Sequence, residues 1–303
     1  MTPDGAEVER LVLERQRARE AKDFARADAL RERIREAGFE VLDRASGPEL
    51  RAIEPSMSSE PSAYGRVQDV PSILDEQAWA AFSVQWLVQG WPQDVVRGIE
   101  SFDRHRGSRP IQHVVVEAAS DRSDWSPGLD AVRIDPGLGW AGARNAGLRR
   151  AAGRLVVVVD GSIEAVGDVF GPLERTLADP TVGVAGPFGI VTVDLREFHE
   201  SEGPDVDAVE GYLMAFRREL VEQGLRFDEK FRFYRTADIE LSFQVKSRGL
   251  RAIVVPVPVR RHEHRMWANT PDDQRARLSK RNFYRFLDRW RGRTDLLESS
   301  RPG

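Results

Sequence analysis

The sequence predicts an α/β protein: a mostly parallel sheet flanked by helices, preceded by a helical hairpin and followed by one more helix. Three observations predict it. Short apolar, β-branched runs alternate with helical stretches from Phe82 onward, the pattern of strands joined by helical crossovers and buried on both faces. Apolar residues make up 41% of the 303 positions, enough for a real core. No apolar run approaches the roughly 20 residues that a membrane-crossing helix needs. Lys plus Arg (45) nearly balances Asp plus Glu (49), a net charge of −4, so the chain as a whole gives no reason to expect nucleic acid as its partner. The absence of cysteine excludes disulfides, thiolate metal sites and cysteine nucleophiles. The opening residues, Met1 to Arg10, are acidic and polar, the opposite of a signal peptide. A cytoplasmic protein is the expectation.

The first element is a helix pair. Between Glu7 and Ala37 there is no Gly or Pro, and apolar residues recur at Val8, Leu11, Val12 and Ala18, then at Phe24, Ala27, Leu30 and Ile34. Spacings of three and four mark amphipathic helices. The pattern stumbles at Lys22-Asp23, where Asp23 suits an N-cap, and Gly38 stands where a helix C-terminus favours glycine. Phe39 to Leu42 reads as a short strand. The run Glu14-Arg15-Gln16-Arg17-Ala18-Arg19, followed by Lys22-Asp23-Phe24-Ala25-Arg26-Ala27-Asp28-Ala29-Leu30-Arg31, resembles the C-terminal helical appendage of cysteinyl-tRNA synthetases over about the first fifty residues. The resemblance implies a packing module for RNA or for another protein. Its Arg and Glu residues alternate, whereas a nucleic-acid footprint wants a one-sided basic face, so a nucleic-acid partner is not expected. A charged coiled-coil-like interaction segment is the competing reading.

Pro, Ser, Gly and Glu dominate from Ser46 to Pro71 without periodicity, which reads as a linker. The expected organisation is therefore a hairpin over 1–50, a linker over 51–80, a catalytic-type domain over 81–265 and a C-terminal basic amphipathic helix with its tail over 266–303.

Within 81–265, Ser83 to Val88 reads as a strand, Val95 to His105 as a helix and Ile111 to Val116 as a second strand. Gly142 to Ala152 reads as a helix, and Leu155 to Val159 and Ala252 to Val255 as buried strands. In open α/β sheets ligands bind beyond the carboxyl ends of the strands, which directs attention to Glu117-Ala118-Ala119-Ser120-Asp121 and to Asp160-Gly161-Ser162. Each alone is an acid at a strand end, more often a turn or cap residue than a site. Gly139 to Leu148 opens a helix rich in small residues, a terminus able to approach an anion but lacking the dinucleotide spacing; tight helix–sheet packing explains it equally well. Further on stand Glu210-Gly211-Tyr212 through Arg217, then Ala237-Asp238, then His262 and His264 between arginines.

Taken in order, these pieces resemble the family 2 inverting glycosyltransferases of the GT-A fold, from about Ser83 to His264. The resemblance implies a nucleotide-diphospho-sugar donor bound by Glu117, Ser120, Asp121, Arg144, Asn145, Asp160 and Gly211. It implies Mn or Mg held by Asp160, Ser162 and His262 (His264 is the less favoured alternative), and Asp238 as the base that takes the acceptor's proton. Oxygen ligands suit Mg or Mn, and Mn tolerates histidine. Three positions depart from the family's pattern: Glu117 stands where it has Asp, Ser162 where it has the second Asp of D-x-D, and Ala237 where it has an acid before the base. Glu164, two residues past Ser162, is a candidate replacement ligand.

The final element, Trp267 to Trp290, reads as a helix with apolar Leu278, Phe283, Phe286, Leu287 and Trp290 ringed by arginines. It caps the domain or, as a basic amphipathic helix, lies on an anionic membrane face. The acceptor (polysaccharide, lipid-linked sugar or small molecule), peripheral membrane contact and homodimer formation stay open. The competing functions are a catalytically degenerate nucleotide-sugar- or partner-binding module, and an adaptor acting through the hairpin.

Overall fold

The computed structural model describes residues 5–21, 23–36, 39–44, 47–52, 63–118 and 123–300, in two compact units, 1–62 and 63–303. The smaller unit holds α1 (Gly5–Glu20), α2 (Phe24–Glu36) and the antiparallel hairpin β1 (Phe39–Arg44) with β2 (Gly47–Ala52). Val8, Leu11, Val12 and Ala18 of α1 meet Ala27, Leu30 and Ile34 of α2 and Val41 of β1. Asp23 caps α2 through the Arg26 N–H at 3.1 Å. The expected helix-ending Gly38 and the side chain of Phe24 lie outside the described residues. The hairpin partner strand β2 falls where the sequence reads as irregular.

The larger unit runs β3 (Ala80–Val88), α3 (Pro92–Arg104), β4 (Ile111–Glu117), β5 (Asp130–Arg133), α4 (Gly139–Leu148), β6 (Gly153–Val159), β7 (Ile163–Ala165), α5 (Phe170–Leu177) and β8 (Val182–Gly186). It continues through β9 (Gly189–Thr192), β10 (Phe198–Ser201), β11 (Asp205–Val206), β12 (Ala208–Val209), β13 (Leu213–Arg217), α6 (Arg218–Glu222), α7 (Ala237–Lys246), β14 (Arg251–Val254), β15 (Val259–Arg261), α8 (Arg265–Asn269) and α9 (Asp272–Trp290). The main sheet has eight strands in the order β11-β14-β8-β13-β6-β3-β4-β5. The β6-β3-β4-β5 block is parallel, as is β14 with β8, and β13 enters antiparallel between β6 and β8. A mostly parallel sheet is thus what the alternating pattern produces.

Both faces of the sheet are buried. Along β6, Val156 and Val158 join the core shared with α7 and α9, while Val157 and Val159 join the core shared with α3 and α5. The same alternation splits Met214 and Phe216 of β13 from Leu213 and Ala215. Glycine permits the closest approach of α4 to β3. A Cβ on Gly147 would stand 2.0 Å from Gln85 Nε2, the amide that donates to the Arg144 carbonyl at 2.6 Å.

The stretch read as linker divides. Residues 63–79 belong to the larger unit: Tyr64 bridges to Ile134, Val70 is fully buried, and Arg149 Nε donates to the Val70 carbonyl at 2.7 Å. Arg218 donates to the carbonyls of Ile73, Leu74 and Glu76 at 2.7–2.9 Å. The expected single C-terminal helix is two, because Pro271 cannot continue α8 and instead precedes α9. Helix α4 ends at Leu148, four residues before the expected Ala152. Among the described residues no helix is long and apolar enough to cross a membrane.

Candidate active site

Beyond the carboxyl ends of β6 and β3 the chain leaves a cleft of about 600 Å³. Asp160, the residue after β6, lines it; its N–H is held by the Tyr212 carbonyl at 2.9 Å. Glu210, Gly211 and Tyr212, between β12 and β13, also line it. So do Tyr234, Arg235 and Thr236, which lead into α7, and Asp238 in the first turn of that helix. A smaller hollow of about 50 Å³ adjoins the cleft through Trp140, Asp160 and His264, and adds Arg144, Ser162 and Arg265. The sequence-predicted Asp160 and Asp238 are therefore brought to one cavity.

Asp238 is fixed by backbone. Its Oδ2 accepts the Gly211 N–H at 2.7 Å and its Oδ1 accepts the Ile239 N–H at 2.9 Å. Glycine eases this approach, since a Cβ on Gly211 would stand a tight 3.2 Å from Asp238 Cβ. Those bonds, and Arg235 nearby, favour the carboxylate, yet burial outweighs them and holds Asp238 above the ordinary carboxylate range. Glu210 is also raised, to about 7, by burial and then by the negative charge of Asp238. Two carboxyl groups in one poorly hydrated cleft cannot both ionise cheaply. Sequence reasoning missed Glu210; the available signal was an acid between apolar Val209 and the expected Gly211.

Backbone strain gathers here too. Among the described residues, the non-glycine positions with positive φ are Trp91 (49°), Leu195 (64°) and Thr236 (71°). Trp91 lines the small hollow, Thr236 lines the cleft, and Leu195 precedes the cleft residue Arg196. Such conformations cost about 1–3 kcal/mol each and concentrate at functional sites.

The histidines are placed differently from expectation. The His262 backbone N–H donates to the Ser162 carbonyl at 2.8 Å, and its ring Nε2 lies 2.7 Å from Glu164, so this ring is turned to Glu164 and not to Asp160. His264 is the ring beside Asp160, with Nε2 at 3.5 Å from Oδ2. His264 also caps α8, its Nδ1 accepting the Trp267 N–H at 3.1 Å. An accepting Nδ1 puts the neutral ring's proton on Nε2, so His264 faces the cleft as a hydrogen-bond donor. It stacks on Tyr234 at 4.4 Å between centroids.

Ser162 is buried, and its N–H (2.9 Å) and hydroxyl both donate to Asp160 Oδ1. It orients Asp160 and leaves Oδ2 as the oxygen facing outward. Arg144 is buried, donates to the carbonyls of Gln85 and Val159, and keeps an Nε with no hydrogen-bond partner among the described residues. Burial lowers it to about 10, against the stabilising charge of Asp160. Asn145 is spent elsewhere. Its amide bonds the Phe227 carbonyl and N–H at 2.8 and 2.9 Å and Glu229 at 3.2 Å, which pins the loop before α7. Glu117, also buried, accepts the Ser123 N–H at 2.8 Å and does not line the cleft. Ser120 and Asp121 lie outside the described residues.

A divalent metal finds few protein donors. Among the described residues no group of three or more His, Asp or Glu side chains could hold one. Asp160 Oδ2 offers one anionic oxygen, which fits an ion that takes its remaining ligands from a diphosphate and water, as Mg commonly does. It does not fit a preformed cage.

Comparison with known proteins separates the two units. Residues 5–51 match the family described as the cysteinyl-tRNA ligase anticodon binding domain. This stretch is 52% identical over 46 residues to the cysteine–tRNA ligase of Solidesulfovibrio magneticus, and 57% over 44 residues to that of Oleidesulfovibrio alaskensis. The alignments cover 15% and 14% of this chain but only 10% and 9% of those ligases. Over 71% of the chain, the structure is similar to GalNAc-T7 with UDP, GalNAc and Mn²⁺, with a TM-score of 0.55, 16% identity and 49% of that chain covered. Over 73% it is similar to the mannosyltransferase PcManGT of Pyrobaculum calidifontis in complex with GDP-Man and Mn²⁺, with a TM-score of 0.51, 20% identity and 67% of that chain covered. The larger unit has the GT-A fold. Both resemblances read from the sequence are thereby borne out: a synthetase-type appendage at the N-terminus, and a glycosyltransferase architecture over most of the chain.

Proposed function

We propose that the larger unit is an inverting glycosyltransferase, moving a sugar from a nucleotide-diphospho donor to an acceptor hydroxyl. The observation that carries this reading is that Asp160 and Asp238 line one cleft in a chain whose fold is shared with proteins holding UDP and GDP-Man.

In this reading Asp238 takes the proton of the acceptor hydroxyl as that oxygen bonds to the anomeric carbon. The bond from the same carbon to the donor's phosphate oxygen breaks on the opposite side, and its electron pair leaves with the nucleoside diphosphate. Burial raises the proton affinity of Asp238. The N–H groups of Gly211 and Ile239 hold the carboxylate in one orientation. His264 Nε2–H and the Arg144 guanidinium carry positive or donor character at the small hollow, where the departing charge develops. A divalent cation arriving with the donor would be held by Asp160 and would neutralise part of that charge.

The test is Asp238→Asn assayed against a panel of nucleotide-diphospho sugars with Mg or Mn. Transfer and donor hydrolysis are expected to fall at least about a hundredfold, while calorimetric binding of the nucleoside diphosphate persists. Undiminished turnover refutes the assignment. The hydroxyl of Ser162 and the apolar Ala237, where the family carries acids, support a second reading: a module that binds the donor without turning it over. Native protein that binds but neither transfers nor hydrolyses any donor favours it. For the smaller unit, the likeness to an anticodon binding domain supports a docking role toward RNA or protein, tested by loss of a partner on removal of residues 1–50.

A further inference from the structure

A second concave surface, of about 920 Å³, shares no residue with the cleft. Two pieces of chain build most of it. The loop between α6 and α7 contributes Arg226, Lys230 and Arg232, and α9 contributes Arg281, Arg285 and Arg289, spaced by four and hence on one helix face. Arg248, just past α7, is the seventh cation, against the two carboxylates of Asp228 and Glu229.

Asp228 Oδ1 accepts the Lys230 backbone N–H at 3.0 Å and Glu229 Oε1 accepts from the Asn145 amide at 3.2 Å; both donors are neutral, so the two carboxylates offset only part of the seven positive charges. Arg289 is paired with buried Glu240, and Arg285 donates to the Lys230 carbonyl. Among the described residues Arg226, Lys230, Arg232 and Arg281 have no carboxylate in ion-pair contact. The crowding is felt: burial first, then the positive charges of Arg281 and Arg232, push Arg285 below the usual arginine value. Seven cations against two lining carboxylates leave an excess of positive charge, which is costly unless a ligand supplies the opposite charge.

The shape and lining narrow the ligand. Guanidinium forks match phosphate oxygens two at a time. Successive arginines on α9 climb about 6 Å per step, so neighbouring guanidiniums reach different phosphates along one chain and not a single phosphate. The one aromatic residue in the lining, Phe227, is only 1% exposed, so no ring is offered for base stacking. A concave wall also fits a strand-like ligand better than a flat bilayer. We propose that this surface binds a linear polyphosphate anion, recognised through several phosphate groups along its chain and through no other chemical group.

Binding is measured on the full chain by calorimetry with long-chain inorganic polyphosphate, alongside a single-stranded oligonucleotide of equal charge and phosphatidylglycerol vesicles. The readout needs no turnover, so it is independent of the transferase reading. Polyphosphate is expected to bind most tightly of the three, with an affinity that falls as salt rises. Arg232→Gln, an exposed position, should flatten the log–log salt dependence by about 0.7 without changing the melting temperature. Arg281→Gln with Arg285→Gln should weaken binding about tenfold at fixed salt. Unchanged affinity in both variants, as when polyphosphate lodges in the cleft instead, overturns the proposal. Tighter binding of the oligonucleotide or the vesicles overturns it as well.

Discussion

Replacing Glu210 by glutamine probes the electrostatics of the cleft directly. Burial and the neighbouring Asp238 raise this carboxyl from 4.5 to about 7. Between those two pH values the folded chain keeps a proton that the unfolded chain has released, so stability falls as pH rises through that window. The gap corresponds to about 3 kcal/mol, present in full below pH 4.5 and lost above pH 7. Glutamine has nearly the same shape and never ionises. Glu210→Gln should therefore match the native protein at pH 4.5 and exceed it by about 3 kcal/mol at pH 8, which for a unit of this size is roughly 6–12 °C in melting temperature. Thermal unfolding followed by near-ultraviolet circular dichroism at several pH values is the assay. In the same variant, any inflection near pH 7 in the kcat/KM profile should vanish if Glu210 faces the substrate. A stabilisation of equal size at pH 4.5 and pH 8 would show that packing, not a held proton, explains the change, and the argument would fail.

Two further outcomes test the frame around the site. Lys246→Met removes the cation that holds Asp207 at 2.9 Å and Glu298 at 2.8 Å in the interior; the uncompensated carboxylates should cost about 3–5 kcal/mol in urea unfolding. Asn145→Ala strips the Phe227 N–H and carbonyl of their partners and should cost about 1–3 kcal/mol, with nucleotide affinity measured by calorimetry unchanged if the residue serves only to pin its loop.

The parallel block of the sheet was legible because β3, β4 and β6 are apolar runs buried on both faces, for which composition and length suffice. Strand β13 was harder: Leu213 to Arg217 reads equally as part of a binding segment, and its antiparallel place between β6 and β8 is set by tertiary pairing that no local pattern encodes. Asp160 and Asp238, picked out by their positions after a strand and at a helix start, do come to line one cleft. Which histidine stands beside Asp160 could not be read from the sequence, because it is set by the long-range approach of His262 to Glu164 and of His264 to Asp160. Asn145 misled for a related reason: its type suits a nucleotide contact, but its amide is committed to Phe227 and Glu229, eighty-odd residues away. Glu210 became visible only when the fold set it beside Asp238.

The stitching of Arg218 to Ile73, Leu74 and Glu76 has a practical consequence. Anyone trimming the chain to its GT-A unit from the sequence would cut near Ala80, where the first strand of the main sheet begins. That cut would strand a nearly inaccessible guanidinium without its three carbonyl acceptors and uncover the seat of Val70. A well-behaved fragment has to start upstream of Ala63.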